Sequence, residues 1–267
     1  MILANIMIQT DTISLISRLT GPLMKRFPGV SGAGSFAVVT GFLCGYPMGA
    51  KISADLIQNG RISYTEGSYL LSFCNNTSPM FIIGVLFTRF IPDRHLHLPF
   101  FLILILSPLI CGQLFRLYYV RKFKETFRFQ PSSKKESPVK KASFAQTIDH
   151  ALMNSFDGIV KVGLYMMIFS IFVCLLDLLI PGCGFWKIIV LSSLEITTGL
   201  SLLSELTIPI TCRYILLMAA TTFGGLCAVF QTASMIQESG LPLRPYIIEK
   251  LITALVTSLL TYLYLTS

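Results

Sequence analysis

Leu71-Ser72-Phe73-Cys74-Asn75-Asn76-Thr77-Ser78-Pro79-Met80-Phe81-Ile82-Ile83-Gly84 is an apolar run broken by four adjacent polar side chains and a proline. Hydrocarbon offers no hydrogen-bond partner to unwound backbone, so such a break survives only inside protein or beside a water-filled cavity. Working outward, similar breaks fall at Gly45-Tyr46-Pro47-Met48-Gly49 within residues 35–57 and at Glu195-Ile196-Thr197-Thr198-Gly199 within 186–206. Gly224-Gly225 interrupts 210–231, while the stretches 98–120, 159–180 and 246–266 run clean. The order of helix, broken segment, broken helix and clean helix thus occurs twice, and broken segments at matching places in two halves point to a transporter binding site.

Composition sets the class. Of 267 residues, 53% are hydrophobic and 13% charged, with a mean hydropathy of +0.71. Soluble domains carry about 25% charged residues, so a water-exposed surface cannot be built from this chain. Several apolar stretches reach the ~17–25 residues that cross a bilayer as helix. The net charge is +8, yet eight of the 21 basic residues fall in one hydrophilic stretch: Arg121, Lys122, Lys124, Arg128, Lys134, Lys135, Lys140 and Lys141. Phe123, Phe127 and Phe129 stand among them but make no stacking pattern for bases, so this reads as a cytoplasmic loop under the positive-inside rule, and nucleic acid is not expected as a partner. The seven cysteines form no Cys-x-x-Cys pair and read as small hydrophobes, Cys183 alone as exposed. No basic region precedes the first apolar run, so a signal peptide is not expected. His95 and His97 have no third ligand nearby, and no metal or cofactor is expected.

The two shortest broken segments have arms of only ~10–12 residues, ~15–18 Å of helix against a ~30 Å hydrocarbon core. They read as re-entrant hairpins. The expected fold is an all-α polytopic membrane protein of two inverted repeats, residues 1–120 and 151–267, each with three transmembrane helices and one re-entrant helical hairpin. A basic cytoplasmic loop, 121–150, joins them. The first segment, 1–23, contains Asp11 and Arg18 and reads as either a transmembrane or an interfacial helix. Hairpin one enters from the cytoplasm, hairpin two from the opposite side, and both termini lie outside. Lys25, Arg26, Arg61, Lys161, Arg244 and Lys250 then mark the inner face, and Arg89, Arg94, Lys187 and Arg213 the outer.

Candidate binding residues cluster at the breaks. Lys51, just past the hairpin-one tip Gly45-Tyr46-Pro47-Met48-Gly49, reads as a counter-charge for a substrate carboxylate, as a snorkelling lysine, or as a partner of Asp55 one turn on. Asn75, Asn76, Thr77 and Ser78 read as a polar clamp at an unwound turn, or as side chains satisfying the carbonyls that Pro79 frees. Glu195, with Thr197 and Thr198, mirrors Lys51 in hairpin two: a site for a coupling cation or proton, an internal partner of Lys51, or a glutamate that lies at the interface instead. Gln231 closes the second broken helix. Asp157, Asp177, Glu205 and Arg213 lie at segment ends, where charges are cheap.

The strings Gly45 to Ile52 and Leu71 to Gly84 resemble the sporulation integral membrane protein YlbJ family. Leu194-Glu195-Ile196-Thr197-Thr198-Gly199-Leu200, Phe223-Gly224-Gly225-Leu226 and Gln231 are similar to its later motifs. The resemblance implies a nucleoside-recognition, or Gate, domain, similar to the core of concentrative nucleoside transporters. It also implies a role in endospore formation, with dipicolinate movement into the forespore as the family-level proposal. It places the chain in the cytoplasmic or forespore membrane, with other sporulation membrane proteins or further copies of itself as partners. It further implies apolar sequence ahead of the position of Met1.

Two look-alikes fail. Gly45 to Ser53 has the wrong spacing for a phosphate loop and no soluble strand before it. Gly32-Ala33-Gly34 lacks the third glycine of a dinucleotide fingerprint. With no nucleophile–base pair, the sequence does not read as an enzyme. It reads as a transporter for a small polar or anionic, even aromatic, solute, its coupling ion unspecified, or as a non-transporting scaffold of the same fold.

Overall fold

A computed structural model describes residues 20, 21, 24, 27, 29–122, 144–180, 182 and 184–267. Most of the segment 1–23, with Asp11 and Arg18, lies outside the described residues, as do Lys25, Arg26, Cys183 and the basic stretch 123–143. Every described element is helical. Five helical segments are long and apolar enough to cross a membrane: Tyr64–Phe90, Arg94–Arg121, Ala151–Leu179, Ile210–Ser239 and Leu243–Thr266. They coincide with the five expected crossings that fall on described residues.

We number the helices along the chain. Helices α1 (Gly32–Cys44) and α2 (Met48–Gln58) pack against each other across a tight turn at Gly45, whose φ of 77° suits glycine. Helix α3 (Tyr64–Cys74) stops at Asn75, and α4 (Pro79–Phe81) restarts the chain and runs into a π-helix, Ile82–Phe90. Helix α5 (Arg94–Lys122) is long and carries Pro99 and Pro108. Helix α6 (Phe144–Leu179) begins seven residues inside the stretch read as connector. No proline interrupts its start, so the helix continues beyond its apolar part. A second pair, α7 (Phe185–Ser192) and α8 (Ile196–Ser204), is joined by three residues. Helices α9 (Ile210–Phe223) and α10 (Gly225–Ile236) meet at Gly224, and α11 (Leu243–Thr266) completes the chain.

Local chemistry sets these boundaries. Ser31 caps α1 by accepting from the Gly34 amide at 3.0 Å, and Ser63 caps α3 by accepting from Glu66 N at 3.1 Å. Glu66 does not close a capping box on Ser63. Its carboxylate instead accepts from Ser31 N at 2.7 Å, tying the start of α1 to the start of α3. At Gly224 the αL conformation ends α9, and Gly225, at φ 78°, starts α10 from a geometry that side chains resist.

Packing links the halves reciprocally. Helix α2 lies against α10, past the second break, while α8 lies against the π-helix, past the first. Each hairpin also packs on the helix before the break in its own half, α3 or α9, and the clean helices α5 and α11 pack on each other. One apolar core lies among α1, α2, α3 and α5, including Phe36, Ile52, Phe73 and Phe115. A second joins Leu86 and Phe100 to Leu200 and Leu217. A smaller third, with Ala50, Leu71, Val229 and Tyr246, sits where hairpin one meets α10 and α11. The outward faces are apolar too: Phe156, Met167 and Ile171 of α6 are all more than half exposed. A contiguous face of this kind is unsuited to water and suits lipid. Lys187 and Asp177 pair at 2.9 Å beside exposed Trp186, as expected for the end of a span at the membrane surface.

Candidate functional site

Both helix breaks are held open by neighbours. In the first, residues 75–78 are unwound between α3 and α4, and Ser78 Oγ caps the restart by accepting from Phe81 N at 3.2 Å. Hairpin one lies directly on this break. A Cβ at Gly41 or Gly49 would collide with the Cys74 carbonyl, and one at Gly45 would collide with Ser78, so backbone meets backbone there. In the second, the amides that open α10 have no partner in their own helix. Hairpin two supplies one: Leu226 N donates to Ser193 O and Cys227 N to Leu194 O, both at 2.8 Å.

The two breaks meet each other as well. Thr77 Oγ1 donates to the Thr221 carbonyl at 2.6 Å, and Tyr46 Oη, on the hairpin-one tip, donates to Thr222 O at 2.8 Å. The group that gathers these parts is Lys250 of α11, which is 1% exposed. Its Nζ donates to Asn75 O at 2.9 Å and to Asn76 Oδ1 at 3.1 Å, and lies 5.0 Å from the centre of the Tyr46 ring. Asn75 Nδ2 donates to Thr232 Oγ1 and Tyr246 Oη at 2.8 and 2.9 Å, while buried Asn75 Oδ1 accepts from nothing among the described residues. Amide ends are exchangeable, so one end of this carboxamide is left over whichever way it is turned. Lys250 thus sits about 10 Å along its helix from Leu243, at 1.5 Å per residue, surrounded by neutral oxygens and rings.

That arrangement favours one kind of chemistry. A buried ammonium costs at least ~2.5–3.5 kcal/mol at membrane depth unless something compensates it. Dipoles from Asn75 and Asn76 compensate it in part, and no described carboxylate pairs with it. The group is therefore suited to accept an anion or to give up its proton.

The sequence placed the cationic centre elsewhere. Lys51 is half-buried on α2, and its Nζ donates to Asn154 O of α6 at 3.1 Å, away from the break. Glu195 is 1% exposed and serves as the N-cap of α8. Its carboxylate accepts from Thr197 N at 3.0 Å, Thr197 Oγ1 at 2.6 Å and Thr198 N at 2.8 Å. The sequence reading put Lys51 and Glu195 in one chamber with Asn75 and Asn76; among the described residues neither side chain hydrogen-bonds to the other or to those asparagines. Gln231 does not close its helix, since α10 continues to Ile236, and its Nε2 lies 3.3 Å from Cys227 Sγ. Of the expected residues, Tyr46, Asn75, Asn76 and Thr77 are brought together, with Gly45, Gly49 and Ser78 as the close backbone contacts behind them. Lys250, Tyr246 and Thr232 were missed. Lys250 was read as a marker of the inner surface, although a lysine within a 24-residue apolar helix was itself the signal.

The capping role of Glu195 is testable. Glu195→Ala removes the acceptor for two α8 amides and lowers stability by ~1–2 kcal/mol, read as a lower melting temperature in detergent. Glu195→Gln, which keeps one acceptor oxygen, loses less. Equal losses would assign the effect to charge instead of capping.

The chain is 27% identical to sporulation integral membrane protein YlbJ of Bacillus subtilis (strain 168), over 284 aligned positions that cover 94% of this chain and 68% of that one. No family model matches the chain. No solved structure matches it. The similarity to this sporulation integral membrane protein runs along nearly all of a multi-pass membrane chain with five candidate spans.

Proposed function

We propose that the protein carries a small anionic solute across the membrane by alternating access, the two hairpins moving against the breaks around Lys250. The observation that carries this reading is that the hairpin-one tip and the first helix break meet on one buried cation while both also bond to the end of α9 beside the second break. Discontinuous helices around a polar centre at membrane depth are how transporters present backbone and side chains to a solute. The reciprocal packing of α2 on α10 and α8 on the π-helix supports two repeats of inverted topology, with both hairpins re-entrant. The aromatic rings of Tyr46 and Tyr246 flank the centre and suit a flat solute. Dipicolinate, a small aromatic dicarboxylate, combines these properties, and the family resemblance puts it first among candidates.

Purified protein in vesicles should take up labelled dipicolinate with saturation, and unlabelled dipicolinate should compete. Protein that is folded and inserted yet moves neither dipicolinate nor other small carboxylates would favour the non-transporting scaffold. The chain is read as a carrier and not as an enzyme, so the solute should be recovered chemically unchanged.

A further inference from the structure

We infer that Lys250 moves a proton with the solute, making the protein a proton–carboxylate symporter; this rests on the transport reading above. Lys250 is 1% exposed, and its partners, Asn75 O and Asn76 Oδ1, are neutral. A neutral amine still has two N–H donors for the same two oxygens, in weaker bonds than the ammonium makes. The site therefore holds the side chain in either protonation state, and the charged state is the one that needs an anion beside it. A carrier built this way loads only when proton and carboxylate are both present, because each makes the other's burial tolerable.

The step balances simply. On the loading side the Lys250 amine takes a proton from water, and the ammonium pairs with the solute carboxylate. On the other side the ammonium returns the proton to water and the carboxylate leaves, restoring the amine. One proton and one carboxylate charge cross together, with no covalent change. Unpaired Asn75 Oδ1, or the amide end that replaces it on turning, supplies a further polar contact for the solute.

Other groups around Lys250 do not take over this role. Helix α3 presents the Cys74 thiol and α5 the Cys111 thiol. Hairpin one presents the Tyr46 phenol, and α11 itself carries the Tyr246 phenol. All are neutral in their ordinary forms at pH 7. Helix α9 presents Thr222, a hydroxyl, toward Thr257. Glu249, next in sequence, accepts from Tyr119 Oη at 2.9 Å on the α5 side. Lys250 is the cation at the meeting of the breaks.

The test uses vesicles containing the full chain, labelled dipicolinate, a trapped pH dye, and potassium with valinomycin to clamp the voltage. An inside-alkaline gradient of about one pH unit should raise wild-type accumulation about tenfold, with dye-reported acidification that requires the solute. Lys250→Arg keeps its proton throughout, so whatever exchange of labelled for unlabelled solute it retains should no longer respond to the gradient. Wild-type uptake that ignores the gradient and moves no protons overturns the coupling and leaves transport standing. Absence of uptake or exchange of any small carboxylate overturns the transport reading, and the coupling with it. Should the arginine variant fail to fold, the wild-type dye measurement decides alone.

Discussion

Lys250→Met abolishes solute uptake in vesicles while the protein stays inserted at near-normal abundance. Methionine approximates the length of the lysine stem without its charge, so the packing of α11 against α9, α5 and α3 survives. Losing the ammonium leaves Asn75 O and Asn76 Oδ1 without their donor, at a cost of ~1–3 kcal/mol. Replacing a buried polar head by an apolar one offsets that loss. For the solute nothing offsets it. An anion brought to this depth without its counter-charge is an uncompensated buried charge, a penalty of ~3–5 kcal/mol, or roughly 100- to 1,000-fold or more in uptake. Uptake kinetics beside a membrane-fraction blot check both halves of the statement. Full uptake would remove Lys250 from the solute path, and loss of the protein itself would make the lysine structural.

The second large effect is on folding. Gly49→Val should leave little folded protein, because its Cβ would collide with the Cys74 carbonyl, where hairpin one lies against the break. Backbone cannot rotate aside as a long side chain can, so the cost lies at or above the usual 1–3 kcal/mol for overpacking. Gly41→Val meets the same carbonyl and should behave alike. Gly163→Val, where nothing lies within 4 Å of the added carbon, is the control and should fold normally. Monodisperse yield in detergent and melting temperature measure all three. A stable Gly49→Val would mean that the hairpin is not seated on the break.

The spans were legible in the sequence because each writes its own signal in apolar length, and proline or paired glycines mark where a helix cannot continue. Thus Asn75 to Ser78 and Gly224-Gly225 fell where expected. Side-chain direction was harder to read. In α2, Ala50, Ile52, Ser53, Ala54 and Leu56 are buried, whereas Lys51, Asp55 and Gln58 form a stripe at helical spacing on the opposite side. Spacing along the hairpin says how far Lys51 lies past the tip, but not which way it faces, and rotation about the helix took it to α6. Lys250 had the reverse fate: proximity to a segment end suggested a surface, and rotation turned it inward. Glu195 carried an ambiguity of another kind, since a buried carboxylate before two threonines spells a helix cap as readily as an ion site.

Three of the contacts that join the two halves share a trait with consequences for sequence drift. Tyr46, Thr77 and Lys250 each reach across to a main-chain carbonyl, at Thr222, Thr221 and Asn75, and within the second half Leu226 N and Cys227 N of α10 likewise donate to main-chain carbonyls of hairpin two, at Ser193 and Leu194. Every residue carries that carbonyl, so substitution on the accepting side leaves these bonds available. A saturation scan should therefore be lopsided. Positions 193 and 194 should accept many side chains, while positions 46, 77 and 250 should accept few. Relatives can then diverge widely in residue identity on one side of this joint while keeping the same mechanical connection.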